Sequence, residues 1–232
     1  MKRSDLLQIA KPILFNTDMV RATLDDQKTS TRRVVKKKYS NTELKMKTDK
    51  YGSRLIEIQK DIEGETYGQK QDGGSWHRLR AYIEPKPPYR PGDILYVRET
   101  WWRNYYHQYG KYFYRADGEE VQIPVITGGT ALHRKADGLK WHPSIHMPKE
   151  AARLFLRVTE VRVEPLQDIT PQEAYLEGAR CTCMTPVPEC AGNKDEFIKI
   201  WNNTVKKKDL PLYGWDANPW VWVIEFERLV CE

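Results

Sequence analysis

No stretch of the 232-residue chain approaches the roughly 20 continuous apolar residues that a membrane-spanning helix needs. The opening Met1–Leu7 is positively charged but has no apolar core long enough for a secretory signal, so a cytoplasmic protein with no membrane partner is expected. Cysteine is scarce, with four in the chain, too few for the disulfide framework of a small secreted domain. There is no Walker loop, no Rossmann glycine pattern and no zinc-protease His pair. His142 and His146 lie four apart, but Pro143 argues against a helical metal pair. No repeat of fixed period is present.

What is there is basic and ordinary in hydrophobicity. The formal net charge is +6 with 40% hydrophobic residues, which fits a globular protein and favours an anionic partner, nucleic acid being the commonest. Along the chain, 12–16 reads as a short strand. Thr17 offers an N-cap to a helix that should stop near Asp25-Asp26-Gln27. Thr29–Val35 is β-branched and reads as a strand. From Lys36 to Arg90 periodicity weakens and Gly and Pro accumulate, although Leu55–Ile58 suits a strand.

Regular structure returns with the turn Pro91-Gly92-Asp93 and the strand Ile94–Trp101, for which Tyr112-Phe113-Tyr114 is a hairpin partner. Leu154–Val158 and Val161–Val163 read as one long strand whose apolar phase slips, placing a bulge near Thr159-Glu160. Thr170-Pro171-Gln172-Glu173 is a capping box that starts a helix ending at Gly178. Asn193 with Glu196 resembles a second cap, ahead of a helix facing inward with Phe197, Ile198, Trp201 and Val205. Trp220–Phe226 is an apolar closing strand. This order predicts an α+β chain: a single domain over 1–232, built as a small closed β-barrel with flanking helices, with 37–90 as an insertion or elaborated loop.

The most informative polar segment is Lys28-Thr29-Ser30-Thr31-Arg32-Arg33. Strand alternation puts Thr29, Thr31 and Arg33 on one face with Lys28 beside them, either a nucleophile or anion site or a solvated basic edge. Along the strand after Gly92, Glu99 and Trp101 share a face and Arg98 takes the other. Stacking and hydrogen bonding to a base edge, or plain core packing, both fit. Tyr105, Tyr106, Tyr109, Tyr112 and Tyr114, interleaved with basic residues, suit either single-stranded RNA or hairpin packing. Cys181, Cys183 and Cys190 are either zinc ligands, with Cys231 or a His as the fourth, or reduced thiols. No other cofactor is expected.

Asp26 to Arg33, Gly92 to Val97, Asp168 to Gly178 and Trp222 to Phe226 together resemble, in order, the segments of the ASCH family within the PUA-like superfamily, and the layout is most similar to prophage-type ASCH proteins. The resemblance implies a PUA-like barrel. Some small bacterial members are amidohydrolases of N4-acetylcytidine that use a Lys, a Thr three residues later and a Glu on the later helix. Those positions fall on Lys28, Thr31 and Glu177, and the strand readings above add Arg33, Arg98, Glu99 and Trp101 as candidate substrate-binding residues. Where the family has Gly two before the Lys, this chain has Asp26, a residue that tolerates positive φ better than most. The activity implied is hydrolysis of an N4-acylated cytidine or related modified nucleoside. An RNA or modified-base reader without turnover, and a ribonuclease, are the alternatives.

Overall fold

The computed structural model describes residues 2–40, 42–50, 52–59, 83–103, 112–118, 123–127, 130–134, 140–183 and 187–230, with the backbone alone for 59 and 123–134. The expectations at Tyr105, Tyr106, Tyr109 and Cys231 lie outside the described residues.

The chain is α+β. Helix α1 (Arg3–Ile9) leads into strand β1 (Lys11–Leu14), helix α2 (Thr17–Leu24) and strand β2 (Ser30–Val34). A hairpin, β3 (Thr42–Asp49) with β4 (Gly52–Gln59), occupies part of the 37–90 stretch and, among the described residues, pairs within itself and with Ile83. Then come β5 (Ile94–Arg98), the hairpin β6 (Trp101–Arg103) and β7 (Tyr112–Tyr114), and the hairpin β8 (Ile123–Thr127) and β9 (Thr130–Arg134). The long β10 (Phe155–Pro165) precedes α3 (Pro171–Leu176), α4 (Gly192–Thr204), the short α5 (Leu210–Tyr213) and β11 (Trp220–Leu229).

The central sheet has five strands in the order β1-β5-β10-β11-β2. β1 runs parallel to β5, and the other neighbours are antiparallel. The expected closed barrel is therefore corrected: among the described residues the sheet is open, with β1 and β2 as its two edges. The edges still approach each other. Arg33 on β2 donates from Nη2 to the Leu14 carbonyl of β1 at 3.0 Å, and Phe15 beside β1 lies 6.0 Å from the Phe226 ring of β11. A side chain spans the seam that a strand ladder would close.

Alternation assigns each strand residue to a face. Leu95, Val97, Leu156, Val158, Ile224 and Phe226 form the inner core with Ile13, Phe15 and Val20 of α2. The outer face carries two separate cores. One packs Leu6 of α1, Tyr96, Trp101, Phe155 and the 147–152 segment. The other packs α3 and α4, through Ala174, Phe197 and Trp201, on Val221 and Val223.

Local chemistry explains several boundaries. Thr170 and Glu173 form the reciprocal capping box expected of them, with Pro171 opening α3. The register of β10 on β11 slips between Val158 and Glu160, the bulge that the apolar phase demanded. Asp26 adopts φ 56, so it occupies the left-handed turn that the resemblance gives to glycine. Two expectations are corrected. The cap of α2 is Asn16, whose side chain accepts from the Met19 amide, and Thr17 is the first helical residue. Asn193 lies inside α4 and is fully buried, its side chain engaged with the backbone of Cys181, Val187 and Pro188 instead of a helix end.

Candidate functional site

β2 is an edge strand, and its free edge builds the site. The amide of Val35 bonds to Trp220 and the amide of Phe226 to Thr29, so odd-numbered residues from 29 to 35 face β11. The backbone groups of Ser30, Arg32 and Val34 consequently point away from the sheet. The turns after α2 and α3 meet at the start of β2, where the Lys28 amide bonds to Ala22 and the Thr29 amide to Leu176, and Lys28 Nζ covers the free edge at the Ser30 carbonyl. Gly178 makes the fit possible. It sits at φ +94, and a Cβ there would lie 3.0 Å from the Cβ of Ala22 and 3.7 Å from Cδ of Lys28.

These turns bring Lys28 and Glu177 together although 149 residues separate them. Lys28 Nζ donates to Glu177 Oε2 at 2.9 Å, to the Glu177 carbonyl at 2.6 Å and to the Ser30 carbonyl at 2.7 Å. The ammonium has three donors, and each has an acceptor. Side-chain exposure is 0% for Lys28 and 5% for Glu177. Burial pulls the Lys28 pKa below its usual value, opposed by the Glu177 carboxylate and assisted by the Arg33 and Arg32 charges. Its Nζ also lies 5.6 Å from the Phe15 ring centroid.

The second oxygen of Glu177 takes a bond from Arg32 Nη1 at 3.3 Å. Arg32 is equally buried and reaches Glu164 Oε1 at 2.6 Å and Glu173 Oε2 at 3.4 Å. Arg162 extends the network by pairing with Glu164, Glu173 and Glu225. Glu173 thus serves twice, as the N3 partner of the capping box and as an ion-pair partner, and its carboxyl is held below the ordinary range. Burial works against that direction, and the Thr170 amide with the two guanidiniums outweighs it.

Thr31 faces the inner side with Ile224, while Arg32 faces the outer side with Val223. The Thr31 hydroxyl is buried and, like that of Ser30, has no hydrogen-bond partner among the described residues. It lines a recess of about 30 Å³ with Glu177, Arg32, Arg33, Met19 and Phe197. That is room for about one water. Arg32, Arg33, Trp201 and Thr204 line both this recess and a cleft of about 750 Å³. Lys36, Lys38 and Lys86 make the cleft basic against Glu57 and Glu84, and Tyr89 and Trp222 supply aromatic faces. Arg33 is partly buried at this junction, and desolvation lowers its pKa.

The structure therefore gathers Lys28, Thr31, Arg33 and Glu177 at one edge. It does not bring Arg98, Glu99 and Trp101 there. Arg98 donates to the Ile145 carbonyl. Glu99 is 1% exposed and is held by Arg153 at 2.8 and 2.9 Å. Trp101 belongs to the outer core beside α1, its ring centroid 4.8 Å from that of His142 and 5.8 Å from that of Tyr112. Of its two readings, core packing is the one the coordinates match. Residues that sequence reasoning left out of the site are Arg32, Glu164, Glu173, Trp201 and Thr204. Arg32 carried a signal as a member of the polar segment, Trp201 as part of an inward helix face and Glu173 through the capping box, while Glu164 and Thr204 carried none.

A second cluster lies along the α3–α4 connection. Cys181, Cys183 and Cys190 have all three sulfurs within 4.8 Å of one another, an arrangement able to hold a metal ion. Among the described residues no helix is long and apolar enough to cross a membrane. Comparison with family models, with curated proteins and with solved structures returns no match.

Proposed function

We propose that the β2 edge is a nucleoside site and that the protein hydrolyses an N4-acylated cytidine or a related modified nucleoside. The observation that carries this reading is a buried hydroxyl, Thr31, without a partner among the described residues, in a recess it shares with Glu177 of a buried Lys–Glu pair and that adjoins a basic, aromatic cleft. A buried hydroxyl normally finds a partner, and leaving one unsatisfied costs about 1–3 kcal/mol. A reacting carbonyl would supply one. The cleft falls within the roughly 300–1,000 Å³ range of small-molecule sites, so the base and sugar have space there while the acyl group enters the recess.

The proton inventory is consistent with amide hydrolysis. Lys28 Nζ and Glu177 Oε2 already share a hydrogen bond, and transfer along it gives a neutral amine and a neutral acid. Exclusion of water by the substrate favours that neutral form. Thr31 Oγ then attacks the acyl carbon while its proton passes to Lys28. The C–N bond breaks as Glu177 gives its proton to the departing N4 amine, and water releases the carboxylic acid from Thr31. Arg32 keeps the Glu177 carboxylate oriented throughout. The recess must widen for the acyl group to enter.

This reading also keeps the ASCH-type, PUA-like assignment as a proposal, with a cytoplasmic setting. The support is the convergence of Lys28, Thr31 and Glu177 and the left-handed turn at Asp26. A second reading, a base or RNA reader without turnover, draws on one observation: all three Lys28 donors already have acceptors, so the amine is held as a fixture.

Incubation with N4-acetylcytidine, followed by chromatography and mass detection, separates the two. Cytidine and acetate in equal amounts, lost in Thr31→Val and Lys28→Met, are expected. Saturable binding with no cytidine from wild type would leave the reader. Cleavage of a labelled RNA that depends on Lys28 would replace both with a ribonuclease.

A further inference from the structure

We propose that Cys181, Cys183 and Cys190 bind one zinc ion as thiolates, and that this ion ties the end of α3 to the start of α4. The inference does not rest on the nucleoside reading.

The sulfur geometry is the first argument. Cys190 Sγ lies 3.1 Å from Cys181 Sγ and 3.5 Å from Cys183 Sγ. Tetrahedral zinc with Zn–S bonds of about 2.3 Å sets its sulfurs about 3.8 Å apart, so small side-chain shifts suffice to seat the ion. The second argument is the surrounding scaffold, which holds the thiols from both sides. Asn193 is fully buried; its Oδ1 accepts from the Cys181 amide at 2.9 Å, and its Nδ2 donates to the Val187 and Pro188 carbonyls at 2.9 and 3.0 Å. Gly192 lets the two arms close: a Cβ there would lie 2.9 Å from Cys181 Cβ and 3.7 Å from Cys190 Sγ. Zinc ligands are commonly oriented by such neighbouring hydrogen bonds.

Cys181 is buried, Cys190 half-buried and Cys183 exposed, so the fourth coordination position opens toward solvent at Cys183 and takes a water. No other described His, Asp or Glu joins the group. On binding, the three thiols release their protons to solvent, so affinity falls as pH falls.

The position gives the ion a consequence. Ala179, two residues after Glu177, and Phe197, one turn into α4, both line the recess. Fixing the thiol loop fixes both walls.

The test is metal analysis and titration of the full chain purified under reducing conditions. Elemental analysis should give one zinc per chain. Cobalt(II) titrated into stripped protein should give sulfur-to-cobalt charge transfer and the intense visible bands of tetrahedral coordination. Cys190→Ser should lose the charge transfer in proportion to the missing sulfur and bind at least about tenfold more weakly. Cys231→Ser should keep full stoichiometry. Stripped wild-type protein that stays folded and takes up neither zinc nor cobalt would overturn the proposal, whatever the variants do. So would a Cys181–Cys190 disulfide that reforms under mild reductant, detected as a mass two hydrogens lighter. Zinc loss in Cys231→Ser would overturn the three-thiol assignment.

Discussion

Glu177 and Glu99 are both carboxylates buried against a cation, and the difference between their surroundings separates a chemical site from a structural clamp. Glu99 meets Arg153 through two bonds, Arg153 continues to Asp117 at 2.6 Å, and the Tyr114 ring lies 4.0 Å from the guanidinium carbon. Every charge there is answered, and Arg153 keeps 27% of its side chain in solvent. Glu177 is shared between two cations that are both fully buried, in a recess with a hydroxyl that no described residue satisfies. Buried ion pairs are weak evidence for function by themselves. A hydroxyl beside one that no described protein group engages is stronger, because it is free to meet a ligand in the recess.

The largest expected effect comes from breaking the tighter pair. Glu177→Ala leaves Lys28 without its carboxylate partner and should cost about 3–5 kcal/mol in denaturant unfolding. A loss below about 1 kcal/mol would mean that the pair is hydrated and that the two regions do not differ as described. Glu99→Ala, whose partner retains Asp117 and solvent, should cost less, about 1–3 kcal/mol. If it costs more than Glu177→Ala, the comparison is inverted.

Gly178→Ala should follow with a loss of more than about 1 kcal/mol, from positive φ and from the approach to Ala22. Gly92→Ala is the control, with similar φ and open space around it, and should lose only the backbone part. Equal losses would show that Gly178 is not placed there to admit Lys28.

The smallest effects are in pH dependence, and they have opposite signs. Burial, outweighing Arg153, raises the Glu99 pKa, so the folded state holds a proton that the unfolded state releases. Its contribution is full below the ordinary carboxylate pKa of 4.5 and falls as pH rises through the raised value. The Lys28 pKa is lowered from 10.5, so the unfolded state binds more protons, and stability from this group rises with pH between the lowered value and 10.5. Unfolding midpoints across both windows should lose the acid slope in Glu99→Gln and the alkaline slope in Lys28→Met. A slope that survives its own substitution belongs to another group.

Features set by neighbours in sequence were legible. The Thr170–Glu173 box, the bulge after Val158 and the turn at Asp26 each depend on a few adjacent residues whose chemistry has one good local solution. Features set by the sheet were not. Alternation correctly placed Thr31 and Arg33 on one face, but Arg32, on the other, is the guanidinium that touches Glu177, because Glu177 sits at the strand's edge and receives groups from both sides. The open seam was illegible for a similar reason: Arg33 reaches Leu14 by a side-chain bond, which leaves no mark on a strand pattern. Arg98, Glu99 and Trp101 share a strong β signal with functional strands, and the same signal describes a packed core. Helix α1 buries only Leu6 among its residues, too little to register as a periodic face.

Thr31→Val tests the central claim most directly, with stability and turnover measured on the same preparation. Removing an unsatisfied buried hydroxyl while keeping its shape should leave stability unchanged or raise it by up to about 1 kcal/mol, and release of cytidine from N4-acetylcytidine should stop. A variant that is clearly destabilised, or that turns over at the wild-type rate, would contradict the account: the hydroxyl would then be a packing group and not the reacting one.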